Sequence, residues 1–171
     1  NVYRTAVKYN PDNAETRMDL AEALLINGQI QAAENELNRI LERDPESVQA
    51  LLRLGEVTAA RGRWWRDDPI FYWKRVLKIE PDNLTARQYL SDFYLDRAEA
   101  ALSWNNYSVA VEMYRQALEY KPESAQILAA LGGCYIRTGD TDEARSYIEK
   151  ALAQAPRDLD VYGEIIRAWF D

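Results

Sequence analysis

The chain has 171 residues, 47% hydrophobic and 29% charged, with 28 acidic side chains against 21 basic ones for a net charge of -7. This composition can bury a core and is not that of a disordered chain, and the acidic balance argues against a surface built to bind nucleic acid. With no histidine and one cysteine, a histidine general base, a Ser-His-Asp or Cys-His nucleophile system, a histidine or cysteine zinc site and an internal disulfide are all excluded.

No run of 18 apolar residues is present and no signal-peptide pattern opens the chain. The sequence starts Asn1-Val2-Tyr3 without an initiator Met, which reads as a processed or excised boundary. The single unpaired Cys134 favours a reducing compartment such as the cytoplasm and, inside an apolar helix, reads as a small buried hydrophobe.

Helical periodicity predicts helices over about 1–9, 14–27, 30–43, 48–61, 69–79, 84–104, 107–120, 125–138, 141–154 and 159–170. The prolines set a register. Pro11, Pro45, Pro81, Pro122 and Pro156 stand in the phrases Asn10-Pro11-Asp12, Asp44-Pro45-Glu46, Glu80-Pro81-Asp82, Lys121-Pro122-Glu123 and Ala155-Pro156-Arg157, spaced by 34, 36, 41 and 34 residues. Five residues before each come Ala6, Ile40, Val76, Ala117 and Ala151; eight before come Tyr3, Leu37, Trp73, Tyr114 and Ile148. Nine after come Leu20, Leu54, Leu90, Leu131 and Ile165, followed directly by Ala21, Gly55, Ser91, Gly132 and Ile166. Seventeen after stand Gly28, Gly62, Ala98 and Gly139.

Two helices per 34-residue unit, a Gly turn inside, a Pro turn between, and small and large apolar residues in fixed register resemble the tetratricopeptide repeat. The resemblance covers essentially the whole chain. It implies an all-α, right-handed α-solenoid of stacked antiparallel helix pairs: a half repeat 1–13, repeats 14–47, 48–83, 84–124 and 125–158, and a half repeat 159–171. One helix pair cannot bury its own apolar face, so pairs must stack.

Two units carry insertions. The unit 48–83 has two extra residues within Gly62-Arg63-Trp64-Trp65-Arg66-Asp67-Asp68-Pro69, where Asp68 suits an N-cap and Pro69 a first helical residue. The unit 84–124 has seven, close to two helical turns, which keeps the apolar face in phase and predicts a helix roughly 31 Å long. Either Trp64 or Trp65 packs over the turns at Ala98, Ala101 and Leu102, or the paired Trp64 and Trp65 with the flanking Arg63 and Arg66 form a partner-docking knob. Residues 61–78 hold Arg61, Arg63, Arg66, Lys74, Arg75 and Lys78 against Asp67 and Asp68. That excess suits stacking on bases but is read as a solvated face, so a nucleic-acid partner is not expected.

The ends read as a second-type helix carrying Val2 and Tyr3 and a first-type helix carrying Trp169 and Phe170. Either the chain is a piece of a longer repeat protein, or copies stack head to tail through these helices as a structural subunit.

The resemblance also implies that the first helix of each pair lines a concave groove. The residues placed there are Glu15, Met18, Asp19, Glu22, Gln49, Leu52, Arg53 and Glu56, then Gln88, Tyr89, Asp92, Asp96, Gln126, Ala130, Gly133 and Arg137, then Asp160, Glu164 and Arg167. The acidic and apolar character suits a peptide with basic and apolar anchors, and Ala129, Ala130, Gly132 and Gly133 are expected to leave room for an inserted side chain. Modules of this family that grip chaperone C-terminal carboxylates use Lys and Asn one turn apart. The pairs here are Met18 and Glu22, Leu52 and Glu56, Gln88 and Asp92, and Ala129 and Gly133, so that role is rejected. The expected function is a non-catalytic scaffold or adaptor for a protein or peptide, with no cofactor and no metal. No phosphate-cradling Gly loop is present, and the sequons at Asn83 and Asn106 carry no inference.

Overall fold

The computed structural model describes residues 2–10, 13–61 and 69–170, with side chains through 168. Every described element is a helix: α1 (Val2–Tyr9), α2 (Ala14–Ile26), α3 (Ile30–Arg43), α4 (Val48–Ala60), α5 (Pro69–Ile79), α6 (Leu84–Leu102), α7 (Tyr107–Tyr120), α8 (Ala125–Thr138), α9 (Thr141–Gln154) and α10 (Leu159–Phe170). The expected all-α class of stacked helix pairs is the observed one. The chain falls into two compact units, Asn1–Ala86 and Arg87–Asp171. None of the described helices is long and apolar enough to cross a membrane.

The helix starts follow from one repeated choice. Two residues after each proline stands a side chain that can accept a backbone N–H: Asn13, Ser47, Asn83, Ser124 and Asp158. Asn13 Oδ1 accepts the Thr16 N–H at 2.8 Å, Asn83 Oδ1 the Ala86 N–H at 2.9 Å, and Ser124 Oγ the Ile127 N–H at 3.4 Å. The stops inside repeats share a second device. Gly28 (φ 70°) and Gly139 (φ 90°) turn left-handed after α2 and α8, and paired bonds close each end: Gln29 N–H to Leu24 O, and Asp140 N–H to Tyr135 O at 2.9 Å.

After α6 the same turn is made by Asn105, at φ 54°, with Asn106 N–H donating to Ala101 O and Asn105 N–H to Leu102 O, both at 2.9 Å. Asn105 lies 24 residues after Pro81, which is the usual seventeen plus the seven inserted ones. The insertion therefore lengthens α6 by two turns. It gives 19 residues where α2 and α4 have 13, and stops two short of the expected end at Trp104. Ala98 and Ala101 on the added turns are buried, while Trp104 is 83% exposed.

In the first unit Leu20, Ala21 and Leu24 of α2 pack with Ala33, Leu37 and Ile40 of α3 and with Ala50, Leu54 and Val57 of α4. Leu51, Val76 and Ala86 form an adjoining cluster. α4 and α5 approach so closely that a Cβ added at Gly55 would lie 2.1 Å from Trp73 Nε1, whose N–H reaches Leu52 O at 3.4 Å. This core also holds charge. Arg17 and Glu36, both buried, form an ion pair, and Arg39 adds a 2.6 Å bond to the second Glu36 oxygen. Buried Glu34 pairs with Arg61 at 2.7 Å. Removing one partner of such a pair strands a desolvated charge.

In the second unit Ala125, Leu128 and Ala129 of α8, Ala151 of α9 and Val161 of α10 form the core, and Tyr94 of α6 stacks on Tyr120 of α7 with ring centroids 6.1 Å apart. Burial pushes the Tyr114 hydroxyl well above its usual range and the buried Cys134 thiol up to about 11. Ser91, fully buried at the small-residue position of α6, has no hydrogen-bond partner for Oγ among the described residues.

Three outcomes follow. Gly55→Ala drives a methyl into the Trp73 indole, a cost of about 1–3 kcal/mol against the roughly 1 kcal/mol alanine gains in a helix. Urea unfolding should show a net loss of stability. Ser91→Ala removes an unpaired buried hydroxyl and should raise the unfolding free energy by about 1 kcal/mol; a loss would show that Oγ is bonded. Cys134 should resist alkylation at pH 8 while the chain is folded. Burial holds the folded thiol at about 11, which leaves roughly a hundredfold less thiolate than an exposed cysteine has, and urea should release the full reactivity.

Candidate functional site

The first helices of the pairs carry the candidate faces, one in each unit. In the first unit α2 and α4 lie side by side, as the 3.4 Å contact from Arg53 Nη2 to Glu22 Oε1 shows. Arg53 also pairs with Glu56 at 3.0 Å, so one guanidinium serves two carboxylates. Glu15 and Asp19 are exposed and have no ion-pair partner among the described residues. Met18 and Leu52 are half-buried between these charges, and Gln49 is exposed. The sequence-predicted residues of this unit are thus brought together as an acidic face with two apolar footholds.

In the second unit the predicted residues separate into two groups. Gln88 Nε2 donates to both Asp92 carboxylate oxygens at 2.8 and 2.7 Å, and Lys121 Nζ reaches Asp92 Oδ1 at 3.1 Å. Tyr89 is half-buried beside them, Asp96 is exposed, and Gln126 donates to Asp158 Oδ2 at 3.2 Å. Arg137 instead sits 5.3 Å above the Tyr107 ring, joining the end of α8 to the start of α7. Lys121 was not anticipated, although it is the only cation directly before a repeat proline: the others are Asn10, Asp44, Glu80 and Ala155.

The small residues of α8 need correction. Ala129, Gly132 and Gly133 are buried. A Cβ at Gly132 would come within 2.8 Å of Ile148 Cγ1, and one at Gly133 within 3.0 Å of the Ala168 Cβ. Their smallness is consumed by α9 and α10. They offer no room for an inserted side chain, and Gly133 drops out of the candidate face; only Ala130 is partly exposed.

The patch of Arg63, Trp64, Trp65 and Arg66, and the side chains of Trp169 and Phe170, lie outside the described residues. Val2 and Tyr3 on α1 are exposed. Asp160, Glu164 and Arg167 lie on α10, where Arg167 pairs with Glu164 at 2.7 Å. Among the described residues no three His, Cys, Asp or Glu side chains are grouped to hold a metal ion.

The family model described as Tetratricopeptide repeat matches residues 1–55 and 101–165; the unmatched stretch contains the two-residue insertion and most of the lengthened α6. Protein O-mannosyl-transferase TMTC1 of Homo sapiens is 24% identical over 155 residues, covering 91% of this chain and 17% of its own length. The FK506-binding protein-like protein of Homo sapiens is 35% identical over 80 residues, 47% of this chain and 22% of its own. The chain thus spans under a quarter of the length of these relatives. Among solved structures, MamA superposes with a TM-score of 0.57 at 21% identity over 91% of this chain and 80% of its own. YrrB, described as a TPR protein with an unusual peptide-binding site, superposes with a TM-score of 0.57 at 16% identity over 99% and 82%. The repeat register, the helix pairs and the family match agree: the chain belongs to the tetratricopeptide repeat family.

Proposed function

We propose that the chain is a non-catalytic protein-interaction module whose α2–α4 face takes a partner segment bearing basic and apolar anchors. The carrying observation is the state of charge on that face. Glu15 and Asp19 face solvent without a cation among the described residues, and Glu22 and Glu56 share Arg53. Unneutralised carboxylates around half-buried Met18 and Leu52 favour a cationic, amphipathic segment over a neutral or acidic one, mainly through encounter rate and register. A helix presenting Lys or Arg beside Leu at i, i+3 and i+4 fits this pattern.

The α6–α8 face of the second unit supports the reading less. Lys121 already answers Asp92 there, and the amides of Gln88 and Gln126 already donate to Asp92 and Asp158. The reading is non-catalytic because the sequence has no histidine and the carboxylates of the first face either pair with Arg53 or stand in open solvent.

Fluorescence anisotropy with a labelled Lys/Leu-patterned helical peptide should give saturable binding, with a Kd on the order of micromolar that weakens as salt is raised. The double change Asp19→Lys and Glu22→Lys should weaken it by about tenfold or more with helix content unchanged. Equal binding of a Glu/Leu peptide of the same pattern would overturn the charge reading.

A further inference from the structure

The second helices of the complete repeats share a bulky position that α3 lacks. Nine residues before the proline stand Tyr72, Met113 and Tyr147 in α5, α7 and α9, all half-buried, but Glu36 in α3. Tyr72 packs against the core of the first unit. Tyr147 stacks on Tyr135, thirteen residues after the preceding proline, with ring centroids 5.5 Å apart. The pair matching those two rings at the start of the chain is Glu36 and Leu24. The Glu36 carboxylate is held by Arg17 and Arg39, and no ring covers Leu24. What remains is a cavity of about 340 Å³ between α1 and α3, with Val7, Leu20, Leu24 and Ala32 in its wall.

This cavity does not come from an uncovered end. Its walls, α1, α2 and α3, are all present. A helix preceding α1 would meet α1 and α2, as α8 meets α9 and α10, which leaves the cleft between α1 and α3 uncovered.

The charges around the cavity select its occupant. Arg4, Lys8 and Arg39 line it and are exposed. Glu36 is the one carboxylate in the lining, and both its oxygens are already taken by Arg17 and Arg39. Arg4 Nη2 donates to the neutral Gln29 Oε1 at 2.8 Å. Lys8 has no ion-pair partner among the described residues. The acids of α2, Glu15, Asp19 and Glu22, lie on the side of that helix opposite Leu20 and Leu24, and Glu22 reaches Arg53 of α4 there. Further along α3, Glu42 is followed directly by Arg43, and the two offset each other. The rim is thus cationic on a chain whose net charge is -7.

We infer that the cleft between α1 and α3 is a second docking site, for an acidic partner segment that seats one aromatic side chain in the cavity and sets its carboxylates against Arg4, Lys8 and Arg39. The ring supplies the wall contact that Tyr72 and Tyr147 supply in their own repeats, and an aromatic anchor in a pocket is where binding energy concentrates. The cations fix register and speed encounter. This occupant has the opposite charge to the one proposed for the α2–α4 face, so the two readings fail separately.

The test is fluorescence anisotropy with a short labelled peptide carrying one Phe flanked by Asp and Glu, at about 0.15 M salt to screen distant charges. Saturable binding is expected, with a Kd on the order of 10–100 µM. Arg4→Glu with Lys8→Glu should weaken it at least tenfold with helix content unchanged, both residues being exposed. Ala32→Phe should block it with the charges untouched. Replacing the peptide's Phe by Ala should also weaken it at least tenfold, while Asp19→Lys with Glu22→Lys should leave the affinity within about twofold. No saturable binding, equal binding of the Ala peptide, or indifference to the Arg4 and Lys8 reversal overturns the proposal. So does tighter binding to the Asp19 and Glu22 variant, which would place the peptide on the α2–α4 face. Self-association of the chain alone that the Arg4 and Lys8 reversal abolishes would make the occupant a second copy and overturn it equally.

Discussion

Everything in each unit depends on how near the second helix of a pair can come to the first. A 34-residue unit has only two helices with which to remove its apolar side chains from water, and neither is wide enough to do it alone. Close approach is secured by leaving one position of the first helix almost without a side chain and setting a large one opposite. Gly55 against Trp73 is the extreme case and Gly132 against Ile148 the milder one. With that spacing, the leucines one residue earlier, Leu20, Leu54, Leu90 and Leu131, are all buried. The acidic face of the first unit is a by-product of the same arrangement. Helices that give one side to their partners turn the other to solvent, and there Glu15, Asp19 and Glu22 cost nothing to keep charged.

Much of this is legible in the linear sequence because the information is local. The proline phrases mark the turns between pairs, glycine marks the turns within them, and helix ends read from these signals match the structure within a residue or two. What stays hidden is non-local. The pairing of Arg17 with Glu36 places a cation where the next repeat has buried Leu51, and nothing near Arg17 in sequence announces a carboxylate from the following helix. Lys121 reaches Asp92 across 29 residues. The misread residues of α8 have a similar cause. Adjacent glycines look like one open notch, yet Gly132 and Gly133 point 100° apart on a helix and are claimed by two different neighbours, α9 and α10.

The candidate site was legible to the same extent and for the same reason. Residues whose exposure follows from helical phase alone, such as Glu15, Asp19 and Gln88, are where the register puts them. Residues whose state depends on a long side chain finding a distant partner are not. Arg137, placed by phase alone on the groove, lies over Tyr107 at the turn edge.

The seven-residue insertion shows that the repeat has a grammar of permitted lengths. Each residue added inside a helix rotates everything beyond it by about 100°. Two extra residues in α4 would therefore have swung its apolar stripe to the far side, whereas seven bring the stripe back to within about 20° of its starting direction. The chain obeys this at both places. α4 keeps the 13 residues of α2 and so takes neither of its unit's two extra residues, while six of the other unit's seven lengthen α6 before Asn105 makes the turn. A repeat of this kind can vary freely in its turns, but its helices can grow only in near-whole pairs of turns.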